Sequence, residues 1–255
     1  MNKINNTSVV KQQYANANNL NTRISIHDKY STNKMGFGNW IMSNYRIDEK
    51  MKVLELGCGT GDMWKNSQSL IKACSKLILS YLSEGMVATT KSNIGNYENT
   101  EYKVIDIQEI PYENETFDVV IANMMLYHVP DIDKGLNEVR RVLKKGGHFY
   151  CATYGEHGII EYLSKYGVQN NINKNFTLQN GYVILSKTFS KVDKLEYIDS
   201  LAVTNVDDMI DYIYSLSSMT TLNDVPKHII KDVLMQNMTN GILNVPKEYG
   251  MFVAS

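Results

Sequence analysis

The sequence predicts an α/β fold built on a doubly wound, mostly parallel sheet, and three observations carry that prediction. From Met51 onward, short apolar runs alternate with segments of helical length. One of those runs, Val119-Val120-Ile121-Ala122, lacks in–out alternation, as expected of a strand covered by helices on both faces. Another, Val53 to Leu56, passes directly into a turn with glycines at 57, 59 and 61.

Taken in order, residues 1–22 are rich in Asn and Gln and read as a flexible arm, with order beginning near Arg23. Residues 23–50 read as an N-terminal cap on a single domain that runs from 23 to 255. Within it the sequence predicts strand Val53–Leu56, helix Asp62–Ala73, strand Leu77–Ser80, strand Tyr102–Ile107 and strand Phe117–Ala122. The amphipathic stretch Ile132–Leu143 follows, with Lys144 and Lys145 in the last turn and Gly146-Gly147 as a stop, leading into strand Gly147–Thr153. The rhythm then loosens. Residues 155–190 hold one helix, Ile159–Lys165, and an Asn-rich loop, and read as an insertion or substrate cap. Strand Phe189–Ile198, helix Val206–Leu216 capped by Thr204 or Asn205, helix Val225–Met238 and strand Glu248–Ala254 complete the chain.

Composition excludes several classes of function. The 255 residues are 43% hydrophobic and 21% charged, enough to bury a core, and 26 basic against 27 acidic side chains leave a net charge of -1. That balance argues against a broad basic face for nucleic acid. No apolar run reaches the roughly 18 residues of a membrane span, so the expected compartment is the cytoplasm, with no membrane partner. Three cysteines and five histidines are scattered without ligand spacing, so no metal site is expected.

The stretch Glu55-Leu-Gly57-Cys58-Gly59-Thr-Gly61 is the most informative. Glycines at alternate positions after a buried strand permit a bend that a Cβ would obstruct and bring the main chain close to a ligand. The spacing is GxGxG rather than the GxGxxG of dinucleotide binders, which disfavours a nicotinamide-dependent enzyme. Glu55 places a carboxylate where a cationic ligand group could meet it.

ELGCGTG resembles motif I of the class I S-adenosylmethionine-dependent methyltransferases, in particular the small-molecule group called methyltransferase type 11. The likeness extends to Leu82–Met86, to Asp106-Ile107 with Ile110-Pro111-Tyr112, to Phe117–Asp131 and to Val142–Gly155. It implies a Rossmann-like methyltransferase fold: an α/β, doubly wound, seven-stranded, mostly parallel sheet with an N-terminal lid and an insertion after strand five. It implies S-adenosylmethionine as cofactor, with Gly57, Cys58, Gly59 and Gly61 around its methionine part and Glu55 supporting its charged groups. Asp106 and Ile107 would meet the adenine, Met86 would pack against it, and Asn123 would approach the methionine amino group. The family usually ends strand two with an acid that binds both ribose hydroxyls. Here that position is Tyr81, and the loss of one charged hydrogen bond costs about 1.5–3 kcal/mol, with Ser80, Ser83 or Glu84 as possible substitutes.

On the acceptor side, methyl transfer needs alignment and exclusion of water, and a base only where the acceptor loses a proton. His128, Tyr30 and His27 are the candidate catalytic residues. His128 falls at the edge of the sheet where open α/β folds bind ligands, and the other two lie in an aromatic, polar segment that ends at Trp40. The expected function is methyl transfer to a small molecule. The alternative is a non-catalytic relative with altered cofactor binding, for which Tyr81 is the support.

Overall fold

A computed structural model describes residues 18–165, 173–216 and 225–255. The strands are β1 (Lys52–Leu56), β2 (Lys76–Tyr81), β3 (Thr100–Val104), β4 (Phe117–Ile121), β5 (Leu143–Tyr154), β6 (Val192–Tyr197), β7 (Ser200–Val203), β8 (Leu243–Pro246) and β9 (Tyr249–Ala254). Among the described residues, seven of them form one sheet in the order β3-β2-β1-β4-β5-β9-β6, and β7 pairs with β8 in a second, two-stranded sheet. In the large sheet β1 to β5 pair in parallel and β9 runs antiparallel to both neighbours. The doubly wound, mostly parallel sheet expected from the sequence is therefore present.

Both faces of that sheet are covered, which is why its inner strands are apolar without alternation. Leu54, Leu56, Ile78 and Val120 face one core with Leu136, Val139 and Val142 of helix α6 (Ile132–Val142). Val53, Leu77, Leu79, Val119 and Ile121 face the other with Trp64 and Ile71. The expected helix 62–73 is two short helices, α3 (Asp62–Lys65) and α4 (Gln68–Ala73), interrupted at Asn66 and Ser67. Helix α5 (Glu84–Ile94) links β2 to β3. The strand expected over 102–107 ends at Val104, because Asp106 turns the chain by accepting from the Gln108 amide at 2.9 Å.

Gly146 and Gly147 do not stop the helix. Helix α6 ends at Val142 with Arg140 and Arg141 in its last turn, and strand β5 begins at once. The pairing jumps from Phe117↔Leu143 to Val119↔His148, so Lys144–Gly147 form a bulge, with Gly146 at φ 76°. A Cβ on Gly147 would lie 2.8 Å from the Asp118 carbonyl oxygen, so the close strand contact, rather than a helix end, requires that glycine.

The expected arm up to residue 17 lies outside the described residues, and the chain is already helical at Asn18 in α1 (Asn18–Tyr30), before Arg23. Helix α1 does not lie on the large sheet. With α7 (Ile159–Ser164), α9 (Val206–Ser215), α10 (Lys227–Gln236) and the β7–β8 pair it encloses a third core of Ile26, Leu163, Leu201, Met209, Ile213 and Val245. This cap is thus assembled from three distant stretches of sequence. Of residues 155–190, α7 joins the cap, whereas α8 (Gly181–Leu185) packs on β6 and β9. Asn205, rather than Thr204, caps α9 by accepting from the Asp207 amide at 3.0 Å.

Candidate functional site

Between the carboxyl ends of the parallel strands and the cap lies a cavity of about 710 Å³, within the range of small-molecule sites and at the edge where open α/β sheets hold ligands. Its floor is the glycine turn after β1. Gly57, Gly59 and Gly61 all have positive φ (78°, 59° and 78°), the left-handed region that favours glycine. A Cβ at Gly57 would come within 3.0 Å of the Met125 side chain, and one at Gly61 within 2.7 Å of Ile94 and 2.9 Å of Thr90. The helix that follows this turn, α3, has only four residues.

Glu55, on β1, lines the cavity yet is only 3% exposed. Its carboxylate accepts from the indole N–H of Trp64, and among the described residues no cation pairs with it. Burial pushes its carboxyl up to about 7, against the indole, which favours the ion. Cys58 sits beside Thr90, its thiol pushed well up by burial. At the end of β4, Asn123 accepts from the Ala152 amide at 3.1 Å and donates to the Tyr45 hydroxyl, which fixes its carboxamide at the cavity wall.

Of the residues singled out in the sequence, the structure gathers Glu55, Gly57, Cys58, Gly59, Tyr81, Asn123, His27 and His128 on this cavity. Gly61, Met86, Asp106, Ile107 and Tyr30 do not line it. Gly61 is buried behind the turn against α5, and Met86 is a 1% exposed core residue of that helix. Asp106 and Ile107 serve the turn after β3. Tyr30 faces the cap, donating to Asp208 at 2.5 Å. The suggested substitutes at the ribose position do not line the cavity either: Ser80 is fully buried and donates to the Glu55 carbonyl at 2.8 Å.

The far end of the cavity is aromatic. Tyr127, Tyr154, Tyr212, Tyr249 and Phe37 line it with His27 and His128. His27 meets the rings of Tyr212 and Tyr249 edge-on, with centroids 6.1 and 5.7 Å away. Burial and the nearby Lys247 cation lower it to about 3, partly opposed by Asp199, so its imidazole is neutral at physiological pH. His128 stands in a 3₁₀ turn, Leu126–His128, at the exit of β4. Among the described residues no three His, Cys, Asp or Glu side chains converge to hold a metal ion, and no helix is long and apolar enough to cross a membrane.

Trp64, which holds the Glu55 carboxylate from the core, and Tyr212 and Tyr249, which line the cavity, were not singled out in the sequence. Trp64 had a usable signal, since it falls in the first turns after the glycines, where the chain must fold back over β1. Tyr212 and Tyr249 had none, because their place depends on how the cap docks.

Comparison with known proteins agrees with this architecture. Residues 54–151 match the family model described as "Methyltransferase domain". A ubiquinone/menaquinone biosynthesis C-methyltransferase of Escherichia coli is 34% identical over 116 residues, 44% of this chain and 46% of that protein. The chain thus spans about half the length of the curated relatives it matches. A methyltransferase-like structure from Bacillus halodurans superposes with a TM-score of 0.59 at 14% identity, covering 86% of this chain and 97% of the other. The [4+2]-cyclase SpnF superposes equally well, with a TM-score of 0.59 at 14% identity over 97% and 96% of the two chains.

Proposed function

We propose that this chain is a class I S-adenosylmethionine-dependent methyltransferase, a reading supported by the match of residues 54–151 to the methyltransferase-domain model, and that it transfers the methyl group of S-adenosylmethionine to a small-molecule acceptor held between sheet and cap. The observation that carries this reading is the buried Glu55 carboxylate, facing the cavity beside the glycine turn with no cationic partner among the described residues. A cationic ligand suits that wall, and the positive-φ glycines leave room for it against the main chain. Bound there, S-adenosylmethionine supplies a methyl group activated by its sulfonium charge.

Gly57, Cys58 and Gly59 would hold the cofactor along the main chain, with Glu55 and Asn123 toward its charged groups and Tyr81 at the sugar. The chain's own contribution to catalysis is then alignment and exclusion of water by the cap. His128 is the group that could take a proton from the acceptor, whereas His27, lowered to about 3, is too weak a base for that step and lines the pocket as a neutral ring. Tyr30, committed to Asp208, would serve the cap instead. The neutral overall charge and the aromatic far wall suit a small acceptor, as does the likeness to a ubiquinone/menaquinone biosynthesis C-methyltransferase. The cytoplasm is the compartment this reading takes, supported by three free cysteines.

The test is a thermal-shift series with S-adenosylmethionine, S-adenosylhomocysteine and NAD. Stabilisation by the first two alone is expected; stabilisation by NAD, or by none, sinks the reading and in the latter case favours the non-catalytic alternative that Tyr81 suggests. In the same series Tyr81→Asp is expected to tighten S-adenosylhomocysteine about tenfold or more, since a charged hydrogen bond is worth about 1.5–3 kcal/mol.

A further inference from the structure

The chain crosses between the cap and the large sheet at a neck below the cavity. Strands β6 and β9 pair as far as Tyr197↔Tyr249, and β7 and β8 resume the pairing at Ser200↔Pro246. The two pairs are one antiparallel ribbon with its ladder broken at residues 198–199 and 247–248. At that break Lys247 and Asp199 form an ion pair whose side chains are 1% and 0% exposed. The third crossing of the neck, from α1 toward α2 (Phe37–Ser43), is tied to the same pair. Ser31 donates to Asp199 at 2.9 Å, Lys247 donates to Ser31 at 2.9 Å, and the Asn33 amide donates to Asp199 at 2.9 Å. Another crossing, from β5 to α7, is held by Glu248, whose carbonyl accepts from the Gly155 amide and whose carboxylate accepts from the His157 amide, each at 2.7 Å; the return from α7 to α8 runs through residues outside those described.

A ladder break crossed by a side-chain ion pair has the form of a hinge with a lock. Between the two strands of the ribbon the ladder bonds are missing at that point; the Thr32 amide on the Ser200 carbonyl (2.9 Å) and the Gly155 amide on the Glu248 carbonyl tie in the flanking crossings, and the charges stiffen the ribbon itself. The Lys247 ammonium also lies 5.7 and 5.2 Å over the rings of Tyr197 and Tyr249, the last residues of the large sheet before the break. Burial lowers the Lys247 ammonium, offset in part by Asp199, while Lys247, the Asn33 amide and Ser31 together hold Asp199 below the usual carboxylate range against its own burial. The cap walls the cavity through Ile24, His27, Ile159, Ile160, Tyr212 and Leu216, so any rotation at the neck changes access to it.

We propose that Lys247 and Asp199 are positioning residues: they lock the hinge at the neck and hold the cap closed over the cavity, so that ligand entry waits on the opening of this pair. The proposal rests on the reading above only in using S-adenosylhomocysteine as the probe. Stopped-flow association and dissociation are to be measured on the wild type and on Asp199→Asn, Ser31→Ala and Lys247→Arg, alongside hydrogen exchange of the amides in α1 and α9. Asp199→Asn is expected to speed association on the order of tenfold by raising the open fraction, with Ser31→Ala moving the same way by less and Lys247→Arg close to wild type. A loosened fold without a gate would speed dissociation alone, so unchanged or slower association in both Asp199→Asn and Ser31→Ala overturns the proposal. Should S-adenosylhomocysteine fail to bind the wild type, the functional reading fails separately. The hinge is then judged by exchange, and α1 and α9 amides no faster in Asp199→Asn than in wild type overturn it.

Discussion

Glu55 shows how one buried group couples folding to ligand. Burial raises its carboxyl from 4.5 to about 7, so between those values the folded chain keeps a proton that the unfolded chain has lost. Stability therefore falls as pH rises through that window, and the full cost above it is about 3 kcal/mol. Glu55→Gln keeps the shape and an acceptor for Trp64 without the charge. Urea unfolding of this variant is expected to show a flatter pH dependence between about pH 5 and pH 7 than the wild type; equal slopes would show that Glu55 does not set it. A cationic ligand draws the carboxylate back to its ionised form, so S-adenosylmethionine should bind more tightly as pH rises through about 7, with release of a proton. Calorimetry in buffers of different ionisation enthalpy reads that proton directly.

At the scale of elements, the glycine turn owes its shape to three residues that L side chains rarely imitate. Gly61 bears two constraints, a left-handed φ of 78° and the side chains of Thr90 and Ile94 against its Cα, whereas Gly241 bears a φ of 75° alone, with nothing within 4 Å of a Cβ. Gly61→Ala should cost about 2–4 kcal/mol, the sum of left-handed strain and overpacking, and Gly241→Ala about 1–2 kcal/mol. Equal losses in chemical denaturation would mean that α5 yields to the added methyl group. The inner strands of the large sheet were legible in the sequence because burial on both faces leaves runs without in–out alternation at 53–56, 77–80 and 119–122, apolar except for Glu55 and Ser80. The start of β5 was misread: Lys144-Lys145-Gly146-Gly147 satisfies the chemistry of a helix stop, and only pairing with β4 shows it to be a bulge.

For the whole molecule, one buried ion pair stands where the cap meets the large sheet. Removing one partner leaves the other charge buried alone, which typically costs about 3–5 kcal/mol, while replacing both with apolar groups costs far less. Lys247→Met is accordingly expected to destabilise the protein strongly, and adding Asp199→Leu to recover part of the loss. Recovery stays partial because Ser31 and the Asn33 amide lose an acceptor. A double variant as unstable as the sum of the single changes would show that the two charges are not coupled.

The sequence by itself determined the large sheet, its glycine turn and half of the cavity, Glu55 through Asn123. Those features depend on short-range patterns: periodicity, turn chemistry and a strand leading into glycines. The tertiary structure decided the other half. Helix α1, helix α9 and the β7–β8 pair lie far apart in the chain and meet through an apolar core, and no local pattern records which distant faces will dock. The same holds for Lys247 and Asp199, 48 residues apart. They read as two ordinary surface charges until the broken ribbon brings them together out of water.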